Sequence, residues 1–219
     1  MEADHYVRDH KWKVEWHPSL LLGQDLHEHV YGIVGFGRIG QRVAMLMKTL
    51  GAKVVYADLF RRADLEESMG VTYMELDDLI QASDFISVHC NLTKETRFLF
   101  DRRRIALMKP NCIFINTARG AIVDQKALTR ALVERRIAGA GLDVFEREPI
   151  GDDDPLLKLD NVVLVPHIGS ASRDTREAMS SMAAEGLLSY FHGVGEIKHL
   201  VNREVLGGQL QGRGKPLPE

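Results

Sequence analysis

The chain has 219 residues, 45% of them hydrophobic and 27% charged, with a formal net charge of -3. That length can bury a substantial core in one larger domain with attached arms, and charges of both signs along it supply neither a basic field for nucleic acid nor a polybasic membrane patch. No apolar run reaches the roughly 20 residues that span a bilayer, and residues 1–13 are charged rather than signal-like, so a cytoplasmic protein with a small-molecule partner is expected.

Residues 2–12 mix charge and aromatic character as a surface helix does, and Trp16, Pro18, Leu20, Leu21 and Leu22 follow as an apolar connection. This arm, residues 1–29, is expected to link and to dimerise. Its His27-x-His29 spacing could chelate a metal, but no acidic or cysteine partner stands at ligand spacing, and solvated or packing histidines are expected instead. The two cysteines, Cys90 and Cys112, lack C-x-x-C spacing and suggest neither a disulfide framework nor a zinc site. Cys90 reads as core filler or as a pocket wall.

From Tyr31 the sequence reads Tyr-Gly-Ile-Val-Gly-Phe-Gly-Arg-Ile-Gly, an apolar strand turning through spaced glycines into a helix over 41–50 with Val43, Leu46, Met47 and Leu50 as its apolar positions. Gly35 permits a tight turn, Gly37 lets the backbone approach a pyrophosphate, and Gly40 lets the helix pack close to its strand. A strand over 53–57 then ends at Asp58, whose carboxylate can accept hydrogen bonds from a ribose diol. That context turns a weak motif into an expected dinucleotide site. Asp58 would face and repel a 2'-phosphate, which favours NAD over NADP; Arg61 and Arg62 keep NADP possible, since either could neutralise that phosphate.

Strand and helix continue to alternate: helices over 61–69 and 76–82, strands over 71–74 and 84–89, helix-start chemistry from Thr93, a basic helix over 101–108 stopped by Lys109-Pro110, and a strand over 112–116. An amphipathic helix over 124–136 carries Ala127, Leu128, Ala131 and Leu132 on one face; strands over 138–144 and 162–165 and a long helix over 172–191 complete the series. The pattern predicts an α/β fold, a doubly wound parallel sheet over 30–192 with ligands beyond the carboxyl ends of the strands. Residues 193–219 read as a return segment and a loose tail rich in glycine and proline.

Polar residues cluster at those strand ends. Arg119, after a strand and before a glycine, could grip a carboxylate through two parallel hydrogen bonds, or could be a structural arginine in a surface ion pair. His167, after Pro166, could pass a proton to or from an oxygen, with Glu148 on its other ring nitrogen if the fold brings the two together.

Five segments in order carry a family resemblance: Gly-Ile-Val-Gly-Phe-Gly-Arg-Ile-Gly-Gln (32–41), Asn-Thr-Ala-Arg-Gly (116–120), Ala-Gly-Ala-Gly-Leu-Asp-Val-Phe-Glu-Arg-Glu-Pro (138–149), Pro-His-Ile-Gly-Ser-Ala (166–171) and Leu-Val-Asn-Arg-Glu-Val (200–205). The chain resembles the D-2-hydroxyacid dehydrogenases, in particular their glyoxylate and hydroxypyruvate reductase branch. The resemblance implies hydride delivery from a reduced nicotinamide to a small 2-oxo acid, with His167 giving the proton, Glu148 orienting it and Arg119 binding the substrate. It places Phe36, Gly37, Arg38 and Ile39 at the pyrophosphate, Cys90, Asn91 and Leu92 beside the cofactor, Thr117, Ala118, His167 and Gly169 around the nicotinamide, and Asp143 at the carboxamide. It also implies a homodimer formed through the arm. Family members carry a second domain ahead of this one; the chain reads as lacking that front segment, so a poor catalyst is expected, or else an NAD-binding module or half of a split enzyme without turnover by itself. The turn His27-Glu28-His29 replaces a Gly-Lys-Thr-like turn, a change expected to touch only a surface loop.

Overall fold

A computed structural model of the chain describes residues 2–192. These fall into two compact units, one running to His167 and one beginning at Ile168. The expected return segment and tail, and the motif at 200–205, lie outside the described residues.

The first unit opens with a short helix, α1 (Glu2–Arg8), and then alternates β1 (Val30–Val34), α2 (Arg38–Thr49), β2 (Lys53–Ala57), α3 (Ala63–Met69), β3 (Thr72–Tyr73), α4 (Leu76–Ala82), β4 (Phe85–Val88), α5 (Arg102–Ile105), β5 (Ile113–Asn116), α6 (Gln125–Val133), β6 (Gly139–Leu142) and β7 (Val162–Leu164). The seven strands form one sheet in the order β3-β2-β1-β4-β5-β6-β7, every neighbouring pair parallel. The expected doubly wound α/β fold is therefore present. The chain winds outward from β1 to β3, returns to the middle at β4, and winds the other way to β7. That reversal between β1 and β4 opens a crevice at the carboxyl edge of the sheet.

Apolar side chains fill both faces. Tyr31, Ile33, Phe36, Ala44, Val54 and Tyr56 pack together on one, with Val43 and Met47 of α2 against them; Val34, Leu79, Ile86, Val88, Phe114, Leu128 and Leu132 belong to the other. Strands buried on both sides explain the near-continuous apolar runs of the sequence. No helix among the described residues is long and apolar enough to cross a membrane.

Several boundaries differ from expectation. The helix after the glycines begins at Arg38, and its contact face is small: Gly40 and Ala44 are buried, while Leu46 and Leu50 are 61% and 54% exposed. The helix expected over 61–69 starts at Ala63, because the Arg62 N–H donates to the Tyr56 hydroxyl at 2.8 Å. Thr93 and Thr96 make the cap-like bonds of a helix start, but residues 94–98 form only turns and Phe98 adopts a left-handed φ of 51°. The basic helix closes after Ile105 as Leu107 and Met108 tighten to bonds three residues back ahead of Pro110. β3 and β6 are shorter than their apolar runs, limited to the residues that pair with β2 and β5.

At the amino edge, Asp84 joins three elements: it accepts from the Val30 N–H at 3.0 Å, Lys109 Nζ at 2.9 Å and Asn111 Nδ2 at 3.1 Å. Burial opposes its charge, yet these donors hold the carboxyl below its ordinary range. Asp77 ties α4 to α5 by accepting from Arg103 Nη1 at 2.7 Å and Arg104 Nε at 2.8 Å, and the two arginines pull its carboxyl from 3.8 down to about 2. A depressed carboxyl contributes stability above its unfolded value, and that contribution is lost as pH falls through the folded one. Asp77 is 38% exposed, so screening limits the effect; Asp77→Asn should cost about 1 kcal/mol at neutral pH. In urea titrations the gap between variant and native chain should close between about pH 4 and about pH 2.

The second unit contains α7 (Arg173–His192), none of whose described residues is buried. Gly169 sits in the turn that leads into it, where the Ala171 N–H donates to the Ile168 carbonyl at 2.9 Å.

Candidate active site

Because all strands run one way, the turns after β1, β2, β4, β5, β6 and β7 emerge at the same edge. The turn after β1 lies at the topological reversal, beside the turn after β4. Gly35 has φ +95°, and a Cβ there would come within 2.4 Å of the Cys90 backbone nitrogen, so only glycine lets these two turns meet. At Gly40 a Cβ would stand 2.2 Å from the Gly35 carbonyl oxygen, the close approach of helix to turn that the spacing predicts. Gly37 faces open space, leaving room at the N-terminus of the 12-residue α2, whose first turn has no acidic residue.

Phe36 holds this turn from below. Its ring is buried and stacks on Tyr56 at 4.1 Å, and its N–H donates to Asp58 Oδ2 at 2.6 Å. Asp58 Oδ1 accepts from the Phe60 N–H at 3.2 Å, so the carboxylate is fixed beside the glycine turn, only partly buried. Arg38 and Ile39 are exposed on the first turn of α2. An open glycine, free space at a helix N-terminus and a carboxylate at the next strand end fit a dinucleotide: the helix end suits its phosphates and Asp58 suits its ribose.

After β4, Cys90 is half-buried while Asn91 and Leu92 are exposed. Burial pushes the Cys90 thiol up to about 11, so it is a neutral wall rather than a nucleophile. His89 is pushed down to about 4 by burial and shares a 2.9 Å hydrogen bond with Ser87, which makes it a neutral prop beneath this turn.

The turn after β5 holds Thr117, Ala118 and Arg119. Thr117 and Arg119 flank the half-buried Ala118; the Arg119 backbone is extended and its Nη1 donates to the Ala118 carbonyl at 2.6 Å. Asn116 shapes this turn from inside the fold, a role the sequence reading did not assign. It is 1% exposed, accepts from the Ala118 N–H at 3.0 Å through Oδ1 and donates to the Arg119 carbonyl at 3.0 Å through Nδ2. An Asn that ends an apolar strand, three residues before an Arg-Gly pair, is the signal that could have exposed it. Asn116→Ala would leave both backbone groups without that partner and should cost about 2 kcal/mol, read from the urea midpoint at unchanged m.

The turns after β6 and β7 complete the edge. Asp143 is buried; its N–H donates to the Asn116 carbonyl at 3.0 Å, and its carbonyl accepts from the His167 N–H at 2.9 Å. His167 has φ 54°, which swings its ring back toward the β6 turn. There His167 Nδ1 meets Glu148 Oε2 at 2.8 Å, while Glu148 Oε1 accepts from the Phe145 N–H at 3.0 Å. The pairing that sequence left open is thus made. His167, the Phe145 N–H and, more weakly, Arg119 hold the Glu148 carboxyl below its ordinary range. With Nδ1 committed to a carboxylate, Nε2 is the nitrogen left for proton exchange, and the side chain is 51% exposed.

The sequence pattern described as "D-isomer specific 2-hydroxyacid dehydrogenase, NAD binding domain" matches residues 1–169. A glyoxylate reductase of Korarchaeum cryptofilum is 52% identical over 207 residues, which cover 94% of this chain and 62% of that protein. Among solved structures, the TT0316 protein of Thermus thermophilus is 44% identical with a TM-score of 0.82, covering 88% of this chain and 60% of that one. A D-lactate dehydrogenase of Aquifex aeolicus complexed with NAD and lactic acid is 35% identical with a TM-score of 0.79, covering 88% and 61%. The chain therefore spans less than two thirds of the length of these relatives. It belongs to the D-isomer specific 2-hydroxyacid dehydrogenase family and matches the NAD-binding domain of that family.

Proposed function

We propose that this chain binds a reduced nicotinamide dinucleotide, NAD in preference to NADP, and reduces a small 2-oxo acid of the glyoxylate or hydroxypyruvate type to the D-2-hydroxy acid. The observation that carries the reading is the 2.8 Å contact of His167 Nδ1 with Glu148 Oε2 at the strand ends beside Arg119. When bound, the nicotinamide supplies the hydride. The chain supplies the rest. Glu148, ionised at neutral pH, takes the hydrogen bond from Nδ1–H and presents Nε2 to the substrate, where a protonated ring gives its proton to the oxygen formed from the carbonyl. Arg119 pairs with the substrate carboxylate through its guanidinium and turns the carbonyl toward His167. The α2 N-terminus, with Gly37, Arg38 and Ile39, receives the pyrophosphate; Asp58 takes the ribose diol. Cys90, Asn91, Leu92, Thr117, Ala118 and Asp143 are assigned to the remaining cofactor contacts.

Binding without turnover is the second reading. It is favoured by the exposure of His167, since solvent at the reacting centre weakens electrostatic stabilisation. Loss of NADH absorbance with glyoxylate or hydroxypyruvate, run beside an NADH binding titration, separates the two. Turnover supports the reductase; binding with no turnover of either acid leaves the module; no binding removes both.

A homodimer is proposed through the arm, where Trp12, Trp16 and Leu22 are 54%, 79% and 74% exposed. Light scattering that finds only a monomer at micromolar concentration would remove it.

A further inference from the structure

The two arginines that follow Asp58 are already engaged. Arg61 donates Nε and Nη2 to the two carboxylate oxygens of Glu66, each at 2.8 Å, and Arg62 donates Nε and Nη2 to those of Asp64 at 2.9 and 2.7 Å. Both are the two-pronged geometry in which a guanidinium matches a carboxylate as well as it would a phosphate. Glu66 is also anchored from the core. Its Oε1 accepts from the Tyr56 hydroxyl at 3.0 Å, and that same hydroxyl oxygen accepts from the Arg62 N–H at 2.8 Å. Tyr56 is fully buried and stacks on Phe36 of the glycine turn. The Arg61 guanidinium also lies 5.5 Å from the centre of the Tyr73 ring, a further hold on its position.

Asp58 meanwhile is held by the Phe36 and Phe60 N–H groups; among the described residues no arginine is hydrogen-bonded to it, although Arg62 feels its charge at longer range. A ribose bearing a 2'-phosphate would set further negative charge beside that carboxylate. Such a ligand is tolerated only if a guanidinium turns inward, and each guanidinium is tied to α3.

We infer, on the basis of the dinucleotide reading above, that Glu66 sets the cofactor preference of this chain, with Asp64 in support, by holding Arg61 and Arg62 away from a 2'-phosphate. Asp58 repels the phosphate; Glu66 and Asp64 prevent the rescue. The arginine side chains are 59% and 41% exposed, so each tie is a modest one and releasing it has a modest, readable effect.

The test is calorimetric titration of the full chain with NADH and with NADPH at fixed ionic strength. The native chain should bind NADH more tightly. Glu66→Gln should tighten NADPH about fivefold and leave NADH within about twofold. Adding Asp64→Asn should bring the gain to about tenfold. Glu67→Gln removes the same charge from an exposed position on α3 that holds neither arginine, and should leave NADPH within about twofold of the native value. Adding Arg61→Ala to Glu66→Gln should cancel the gain. If Glu66→Gln and Glu67→Gln tighten NADPH equally, or if NADPH affinity stays unchanged while NADH binds, the inference is overturned and the dinucleotide site stands. Failure of the native chain to bind either cofactor overturns both.

Discussion

Replacing His167 by glutamine is expected to lower turnover of the 2-oxo acid by about a hundredfold or more, the scale on which a positioned general acid acts, while NADH still binds. Glutamine keeps the size and a hydrogen-bond donor near Glu148 but has no proton to give. A second reading of the same variant does not depend on activity. The His167 contact is the largest of the influences that hold the Glu148 carboxyl below 4.5, so in the variant that carboxyl should titrate at higher pH, visible by NMR of labelled glutamate. The sign follows from the pairing: a lowered carboxyl keeps the contact at neutral pH and gives it up as pH falls through the lowered value. Turnover retained in His167→Gln, or a Glu148 titration that does not move, would remove the proposed pair from the chemistry.

The second large effect is expected at Gly120. A Cβ there would stand 1.9 Å from both the carbonyl carbon and the carbonyl oxygen of Phe145, and 2.4 Å from the Glu146 nitrogen. All three are backbone atoms of the turn that carries Glu148, so no side chain can swing away to make room. Gly120→Ala must push the Arg119 turn and the Glu148 turn apart. The cost should be about 3 kcal/mol, at the upper end for an overpacked site, with KM for the 2-oxo acid rising more than that for NADH. A urea midpoint within error of the native chain would show that the two turns are not pressed together. Gln125 backs the same junction, donating to Asp154 at 2.8 Å and accepting from the Glu146 N–H at 2.9 Å.

What was legible in the sequence was local or short in range. Gly35 and Gly40 constrain a strand, a turn and a helix within about ten residues, and Asp58 closes the next strand, so their geometry follows from spacing alone. The contact of Glu148 with His167 is made across 19 residues by turns on two different strands, so spacing left it open and only the family resemblance pointed to it. Only the left-handed backbone of His167 and the neighbouring register of β6 and β7 create it. The face of α2 misled for a different reason. Leu46 and Leu50 resemble a core stripe with Val43 and Met47, yet only the latter two pack against the core, beside the buried Gly40 and Ala44. The partners of Arg61 and Arg62 stand five and two residues away, spacings that no helical rule selects.

The all-parallel sheet has one further consequence. Every residue assigned to cofactor or substrate in the first unit lies at the carboxyl edge, whereas Asp84, with Val30, Lys109 and Asn111, fastens the amino edge. The residues proposed for cofactor and substrate in the first unit and the Asp84 cluster therefore sit at opposite rims of one slab, joined by strands only three to five residues long beyond the two-residue β3. A protein laid out this way can exchange one rim without rewriting the other. For an engineer, substitutions around Asp84 are separated by the length of the strands from every residue proposed for the site in the first unit.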